Sequence, residues 1–365
     1  MLKSFLLKTK KTGGGAGNKP AEILSRRILA IDIGGGTQDI LIYDENQPME
    51  NCYKMILPSP TVILARKIRK LTMEKKPIYL TGELMGGGPC TRAIKLHLKK
   101  GLPVYSSPRA AKTIKDDPEK VKGLGVQITD APPEKAETLT LSDVDLQVLQ
   151  KTLESFEIEM PEEFAVAVQD HGESIDMSNR LFRFKHWERF MTEGGDISSL
   201  IYYDIPPYLT RMKSVQKVIP KALVMDTCSA ALWGALEDEN IARHRDKGLT
   251  LINMGNQHTF AVLLKGSIVY GLLEHHTGIL TFEQLQDYVN RFKSRTVTHQ
   301  EIFDSGGHGC YIKDNIQDSD SFEFTAVTGP QRHLARKLGY YEAAPYGDMM
   351  LTGSFGLVSA ALTTT

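Results

Sequence analysis

The sequence is short of cysteine and carries no excess of charge, and each shortage excludes a class of function. Its 365 residues include four cysteines, Cys52, Cys90, Cys228 and Cys310. No two stand at C-x-x-C spacing, so a zinc ribbon and a disulfide framework are not expected. The C-x-x-x-C-x-x-C motif that a radical-SAM enzyme needs for its cluster is also missing. Few, scattered cysteines fit a reducing, cytoplasmic setting. Forty-four basic residues balance 44 acidic ones, for a formal net charge of zero. Dedicated nucleic-acid binding, which needs a clustered basic surface, is therefore not expected. No apolar run approaches the roughly 18 residues of a membrane span, so no membrane partner is expected.

What is present is an ordinary globular composition, 41% hydrophobic and 24% charged. The length suggests two or three domains of about 100–200 residues each. Residues 1–26 read as a flexible basic tail, with Lys3, Lys8, Lys10, Lys11 and Lys19 around a GGGAG run. A transit peptide is the other reading of that segment. Folding is expected to begin near Arg27. There RILAIDIGGGTQDILIYDEN reads as strand, glycine turn, strand, with apolar residues alternating on both arms. KPIYLTG is a second strand signal, followed by a glycine loop and a basic helix. Asp116 to Glu137 reads as surface loop with one short strand. Residues 141–156 read as a helix with Ser142 at its N-cap. EEFAVAVQDHG is a strand ending in a polar turn, and residues 177–191 are helical in pattern. KALVMDTCSAALWGALED is a short strand entering an Ala-rich helix, and the chain closes on PYGDMMLTGSFGLVSAAL, a helix of small residues.

One pattern recurs. IDIGGGTQDILIY and INMGNQHTFAVLL share a strand, a glycine-led turn and a second strand. The repeat implies a duplicated α/β architecture. Its turns suggest their chemistry. Glycines let backbone amides approach an anion and take positive φ. Successive amides in such a turn suit phosphate, and Thr37 adds a hydroxyl. Asp32 and Asp39 would repel phosphate unless Mg²⁺, which favours oxygen ligands, stood between them. The turn is not a P-loop, because no G-x-x-x-x-G-K-[ST] occurs. It is not the Rossmann fingerprint either, because it joins two strands.

Taken together these segments resemble the ASKHA superfamily, named for actin, Hsp70 and sugar kinases. IDIGGGTQD resembles the first phosphate motif, VMDTCSAALWGAL a connecting helix, INMGNQHT the second phosphate hairpin, AVTGPQR the adenosine motif and MMLTGSFGLVSAAL the closing helix. The resemblance implies a duplicated actin-like ATPase (ribonuclease H-like) fold in two lobes. The first lobe, with insertions, would span 27–236, the second 237–344, and 345–365 would return to the first. Within the superfamily, QDHG, EHHTG and GGGP resemble a prokaryotic family labelled as a pyruvate formate-lyase activating enzyme. The missing cluster motif argues against that activity.

The resemblance implies ATP and Mg²⁺ as cofactors, and an ATPase or phosphotransferase with an unknown second substrate or protein partner. Gly34, Gly35, Gly36 and Thr37 would cradle phosphate in the first turn, and Gly255, Gln257, His258 and Thr259 in the second. Gly329, Pro330 and Gln331 would approach the adenosine, with Gly353 behind them. Asp32 would hold a Mg²⁺-bound water, Asp39 would assist as a metal ligand, and Asp226 would orient an attacking water. Asp226 also sits where a helix N-cap belongs, and both roles are compatible. Asn253 stands where the superfamily usually has an aspartate. That favours the alternative of a nucleotide sensor or scaffold without hydrolysis. Gly-x-Gln-x-Thr at 255–259 also resembles ATP-dependent redox activators of acyl-CoA dehydratases.

Six of ten histidines fall in polar or glycine-rich turns. A cluster of His171, His275, His276 and His308, with Glu274 or Cys310, would suit a transition metal such as zinc or iron. Hydrogen-bonded histidines that cap turns explain the same pattern. Glu83, Gly86 to Gly88 and Arg92 are a further candidate loop for a second substrate.

Overall fold

The computed structural model describes residues 25–317 and 321–364. The expected tail lies outside the described residues except for its last two positions. Among the described residues no helix is long and apolar enough to cross a membrane.

The chain opens with β1 (Arg27–Ile33), β2 (Thr37–Asp44) and β3 (Tyr53–Pro58). They form an antiparallel meander turned by the first glycine segment. An insertion follows. It holds β4 (Ile78–Gly82), β5 (Val104–Ser106), β6 (Val126–Ile128) and β7 (Glu137–Leu141), all parallel, around its own apolar cluster. The chain then returns to the first sheet with β8 (Glu163–Val168) beside β1 and β9 (Leu223–Met225) beside β8, both parallel. Buried on both faces, β8 reads EFAVAV, a continuous apolar run rather than an alternation.

The same order recurs in the second half. β10 (Leu249–Met254), β11 (His258–Lys265), β12 (Ile268–His276) and β13 (Gly309–Ile312) form an antiparallel meander. β14 (Thr325–Thr328) and β15 (Tyr341–Glu342) then add in parallel beside β10. The sheets run β3-β2-β1-β8-β9 and β13-β12-β11-β10-β14-β15. The duplicated α/β fold expected from the repeat is therefore present, with each glycine turn joining the first two strands of its sheet.

Each half also sends a helix to a shared core. Thr227–Ala235 follows β9, and Thr352–Thr363 ends the second half. They cross with their backbones in contact. A methyl group on Gly234 would collide with the Thr352 carbonyl, and one on Gly356 with the Ala230 carbonyl. The small residues noted in both sequences are what allow this approach. The closing helix lies against β1, β2 and β8 as well.

Local expectations needed correction in two places. The helix Leu146–Glu154 is capped by Asp145, which accepts a hydrogen bond from the Val148 amide; Ser142 instead pairs within its own turn with Val144. The loop from Asp116 holds a short helix, Pro118–Gly123, whose cap is Asp117. The turn after Gly329 continues as a 3-10 helix, Arg332–Leu338. Three of its seven residues are Arg or Lys, and only Ala335 is buried there.

The helix crossing generates a test. Gly356→Ala is expected to destabilise the fold by at least about 1–3 kcal/mol through overpacking. Gly123→Ala, at a helix position with open space around it, should leave stability unchanged or raise it slightly. Urea midpoints of the two variants check the difference, and equal midpoints would contradict the close crossing.

Candidate functional site

Strand ends and turns from both halves, together with the insertion, enclose one cleft of about 250 Å³. Gly34, Gly35 and Thr37 line it from the first turn and Gly255, Asn256, Gln257 and His258 from the second. Gly329, Pro330 and Gly353 line it as well. The tips of the two turns nearly meet. A methyl on Gly35 would lie 2.7 Å from Gln257 Nε2, and one on Gly36 would lie 2.9 Å from Asn256 Nδ2.

Asp32 and Asp39 are opposite each other across the β1–β2 ladder. They are 8% and 7% exposed, and Oδ1 of each lacks a hydrogen-bond partner. Asp39 also accepts a 3.3 Å hydrogen bond from the Thr37 hydroxyl. Burial, then the charge of Asp39, pushes the Asp32 carboxyl well above its usual range. Burial lifts Asp39 to about 7 despite the Thr37 hydroxyl. Opposed carboxylates are unfavourable in a strand pair. Two unpartnered, dehydrated oxygens suit a hard cation with oxygen preference, so the pair fits Mg²⁺. Gly353 is needed here, because a Cβ at that position would collide with the Asp32 carboxylate.

Asp226 takes a different place from the one expected of a catalytic carboxylate. It caps Thr227–Ala235 as the sequence suggested, accepting from the Cys228 amide at 3.0 Å. Both its oxygens are also bound by Arg183, through Nη1 at 2.8 Å and Nη2 at 3.1 Å, and Oδ2 accepts from the Asp170 amide at 3.1 Å. Burial raises its pKa, but the Arg183 charge and hydrogen bonds outweigh that and hold it at about 2. No oxygen is left to orient a water, and Asp226 is not among the cleft-lining residues. Arg183 continues to Glu274 through Nε at 2.8 Å, and Trp187 Nε1 donates to Glu274 at 2.9 Å. Arg183 and Glu274 are fully buried.

Three other expected ligands also turn away from the cleft. The Thr259 hydroxyl pairs with Thr277 at 3.1 Å. The Gln331 amide donates to Asn256 at 2.9 Å and steadies the second turn from outside. Gly36 faces the opposite tip rather than the cavity. From the candidate loop of the insertion, Gly86 to Gly88 reach the cleft, whereas Glu83 is paired with Arg109 and Lys217.

The histidines group differently from the sequence expectation. His171, His258 and His308 form a cluster in which one ring nitrogen from each residue lies within 4.8 Å of the other two. His276 packs beside His258 and His308, with ring centroids 4.7 and 4.8 Å away, but is not part of that group. His275 leaves the cluster. Its ring is hydrogen-bonded to the His276 carbonyl and the Ser305 hydroxyl. Adjacent residues on a strand point to opposite faces, so only one of the His275–His276 pair could face the cluster. Cys310 lies on β13 and makes no part of the cluster.

Sequence reasoning missed Arg183, Arg211, Gln169 and Asp170. Arg211 forms a two-pronged pair with Asp143, both bonds 2.8 Å, and donates to the Gln169 carbonyl at 2.6 Å at the cleft wall. Asp170 accepts from the Met212 and Gly172 amides. The QDHG turn was a signal for Gln169 and Asp170; nothing in the local pattern distinguishes Arg183 from the surface basic residues beside it.

A family model described as "Putative pyruvate format-lyase activating enzyme (DUF1786)" matches residues 85–334, more than half of the chain. The chain belongs to this family. The matched span holds Arg183, Asp226, Glu274 and all three clustered histidines, but begins after the first glycine turn. No curated protein matches the chain. Among solved structures, a Bacteroides thetaiotaomicron protein with actin-like ATPase fold and unknown function is similar at 8% identity, over 94% of this chain and 99% of its own, with a TM-score of 0.36. The activator of the 2-hydroxyisocaproyl-CoA dehydratase from Clostridium difficile, with bound ADPNP, matches at 10% identity over 93% and 96%, TM-score 0.32. A ROK family transcriptional regulator, described as a homolog of the E. coli MLC protein, matches at 9% identity with a TM-score of 0.27. This chain spans 38% of the regulator, and the match covers 67% of this chain. At these scores the superpositions add nothing to the duplicated topology.

Two outcomes test this electrostatic layout. Arg183→Met leaves two buried carboxylates without their cation, and is expected to cost about 3–5 kcal/mol in denaturant unfolding or to prevent folding. A loss below about 1 kcal/mol would contradict the arrangement. For Asp39, the folded carboxyl titrates at about 7, while the unfolded one titrates near about 3.9. Its contribution to stability is full below the unfolded value and is lost as pH rises through the folded one. In chelator, thermal melts should therefore decline between about pH 4 and about pH 7, and Asp39→Asn should flatten that decline. Parallel profiles for the two proteins would count against the assignment.

Proposed function

We propose that the cleft binds ATP with Mg²⁺, and that the protein is an ATPase or phosphotransferase acting on a second substrate held by the insertion side of the cleft. The observation that carries this reading is the pair of buried carboxylates, Asp32 and Asp39, with unpartnered oxygens at the root of two opposed glycine turns. Bound Mg²⁺ would supply charge neutralisation for the phosphates. Asp32 and Asp39 would hold it. The backbone of Gly34, Gly35 and Gly255 would approach phosphate oxygens, and the Thr37 hydroxyl would donate to them. Gly329, at φ +97°, and Pro330 form the wall expected to meet the base, with Asn253 Oδ1 against Gly329. Lys112, Asp116 and Asn179 also line the cleft and would meet an acceptor.

One observation favours a second reading, nucleotide binding without turnover. Asp226 is saturated by Arg183 and two amides, and Asn253 offers no charge, so neither supplies a general base.

Thermal melts with ATP, with and without Mg²⁺, test the main reading. At about 100 times the dissociation constant, stabilisation of about 2.7 kcal/mol is expected, and Asp32→Asn should remove its Mg²⁺-dependent part. Folded wild-type protein that gains nothing from ATP with Mg²⁺ would sink this reading. Phosphate release over many turnovers would exclude the second.

A further inference from the structure

Away from the carboxylate pair, a further group of unpartnered polar atoms among the described residues lies in the imidazole cluster. Its members come from three separate segments: His171 follows β8, His258 opens β11, and His308 precedes β13. His258 is 8% exposed and neither of its ring nitrogens has a hydrogen-bond partner. His308 is fully buried, and neither of its ring nitrogens makes a hydrogen bond. Every imidazole has a donor or lone pair on each nitrogen, and leaving these buried and unmade costs about 1–3 kcal/mol per group. A fold that sets two such rings beside a third, His171, within reach of one ion points to a ligand that uses a lone pair from each.

We propose that His171, His258 and His308 bind one divalent transition-metal ion of the class that prefers imidazole nitrogen, such as zinc or ferrous iron, with an open coordination position facing the cleft. The donor set separates this site from the Asp32–Asp39 pair. Imidazole suits zinc, iron, cobalt and nickel, whereas Mg²⁺ takes oxygen. A second-shell carboxylate also stands close by. Glu274 Oε2 lies 3.1 Å from His308 Nδ1, at ion-pair distance though not in hydrogen-bonding geometry, with Nε2 open to the ion. Glu274 is itself held by Arg183 and Trp187. A carboxylate behind a ligating histidine fixes its tautomer and ring orientation. His308 therefore forms the back of the site, and His171 and His258, which line the cleft, form its mouth. Three protein ligands with a fourth position open is the arrangement of catalytic zinc centres. Metal–nitrogen bonds of about 2.0–2.1 Å in a tetrahedral arrangement place two ligating nitrogens about 3.4 Å apart, so the rings draw inward from their 4.8 Å limit on loading. His275, which the sequence grouped with these residues, takes no part.

The test uses the full chain, stripped with chelator and titrated with Co²⁺ and then Zn²⁺. One equivalent of Co²⁺ should bind with the visible ligand-field bands of nitrogen coordination, and Zn²⁺ should displace it. His171→Ala is the informative variant, because His171 is the least buried of the three and its loss should spare the fold, as circular dichroism would confirm. It should weaken Co²⁺ binding by more than about tenfold, whereas His275→Ala should not. Asp32→Asn should leave the cobalt spectrum intact even where it abolishes the response to ATP and Mg²⁺, so the two sites fail separately. Absence of stoichiometric Co²⁺ or Zn²⁺ binding overturns the proposal. So does cobalt binding that survives His171→Ala and disappears in Asp32→Asn.

Discussion

The two halves of the molecule depend on one buried cation. Arg183 comes from a helix between them, binds Asp226 at the start of one core helix and Glu274 near the end of β12, and also reaches the Asp170 carbonyl. A guanidinium can do this because its planar fork offers five donors in fixed directions. The cost of burying three charges is offset only when nearly every donor and acceptor is used, and here Trp187, the Cys228 amide and the Asp170 amide take up the remaining carboxylate positions. The network fixes where β8 ends relative to β12. It thereby fixes the position of the QDHG turn and of the histidines that depend on Glu274.

That placement explains the division of labour among the carboxylates. Asp32 and Asp39 share the environment of Asp226 in burial but not in partners. Where Arg183 is present the carboxylate is held ionised at about 2, and where it is absent the group is pushed up, to about 7 for Asp39. Only the second kind of carboxylate has something to gain from an incoming cation. The same contrast separates His308, backed by Glu274, from His275, whose ring is already committed to Ser305.

The fold was largely legible in the sequence, because glycine turns between alternating strands and a small-residue helix after a short strand are local patterns. The duplicated hairpins, the Asp226 cap and the close approach of the closing helix all follow from such patterns. The site was legible only where it is backbone. Gly34, Gly35, Gly255 and Gly329 all line the cleft, because a turn carries its own geometry. Side chains fared differently. Whether Thr259 faces the cleft or Thr277 depends on strand register, and a shift of one residue reverses the answer. Likewise the pair His275–His276 announces one inward ring without saying which. Arg183 sits in RLFRFKHWERF, a segment whose basic residues look alike until a fold buries one of them.

The contact between the turn tips has a consequence for traffic through the cleft. The Gln257 amide occupies the space in front of Gly35 and the Asn256 amide that in front of Gly36, so the two halves approach there through two side chains. An anion entering between the tips does not simply displace solvent. It replaces a contact that one half makes with the other and must offer both halves a better one. Admission and closure thus compete for the same few backbone amides. An occupant that engages only one turn would hold the gate ajar, and one that bridges both would latch it.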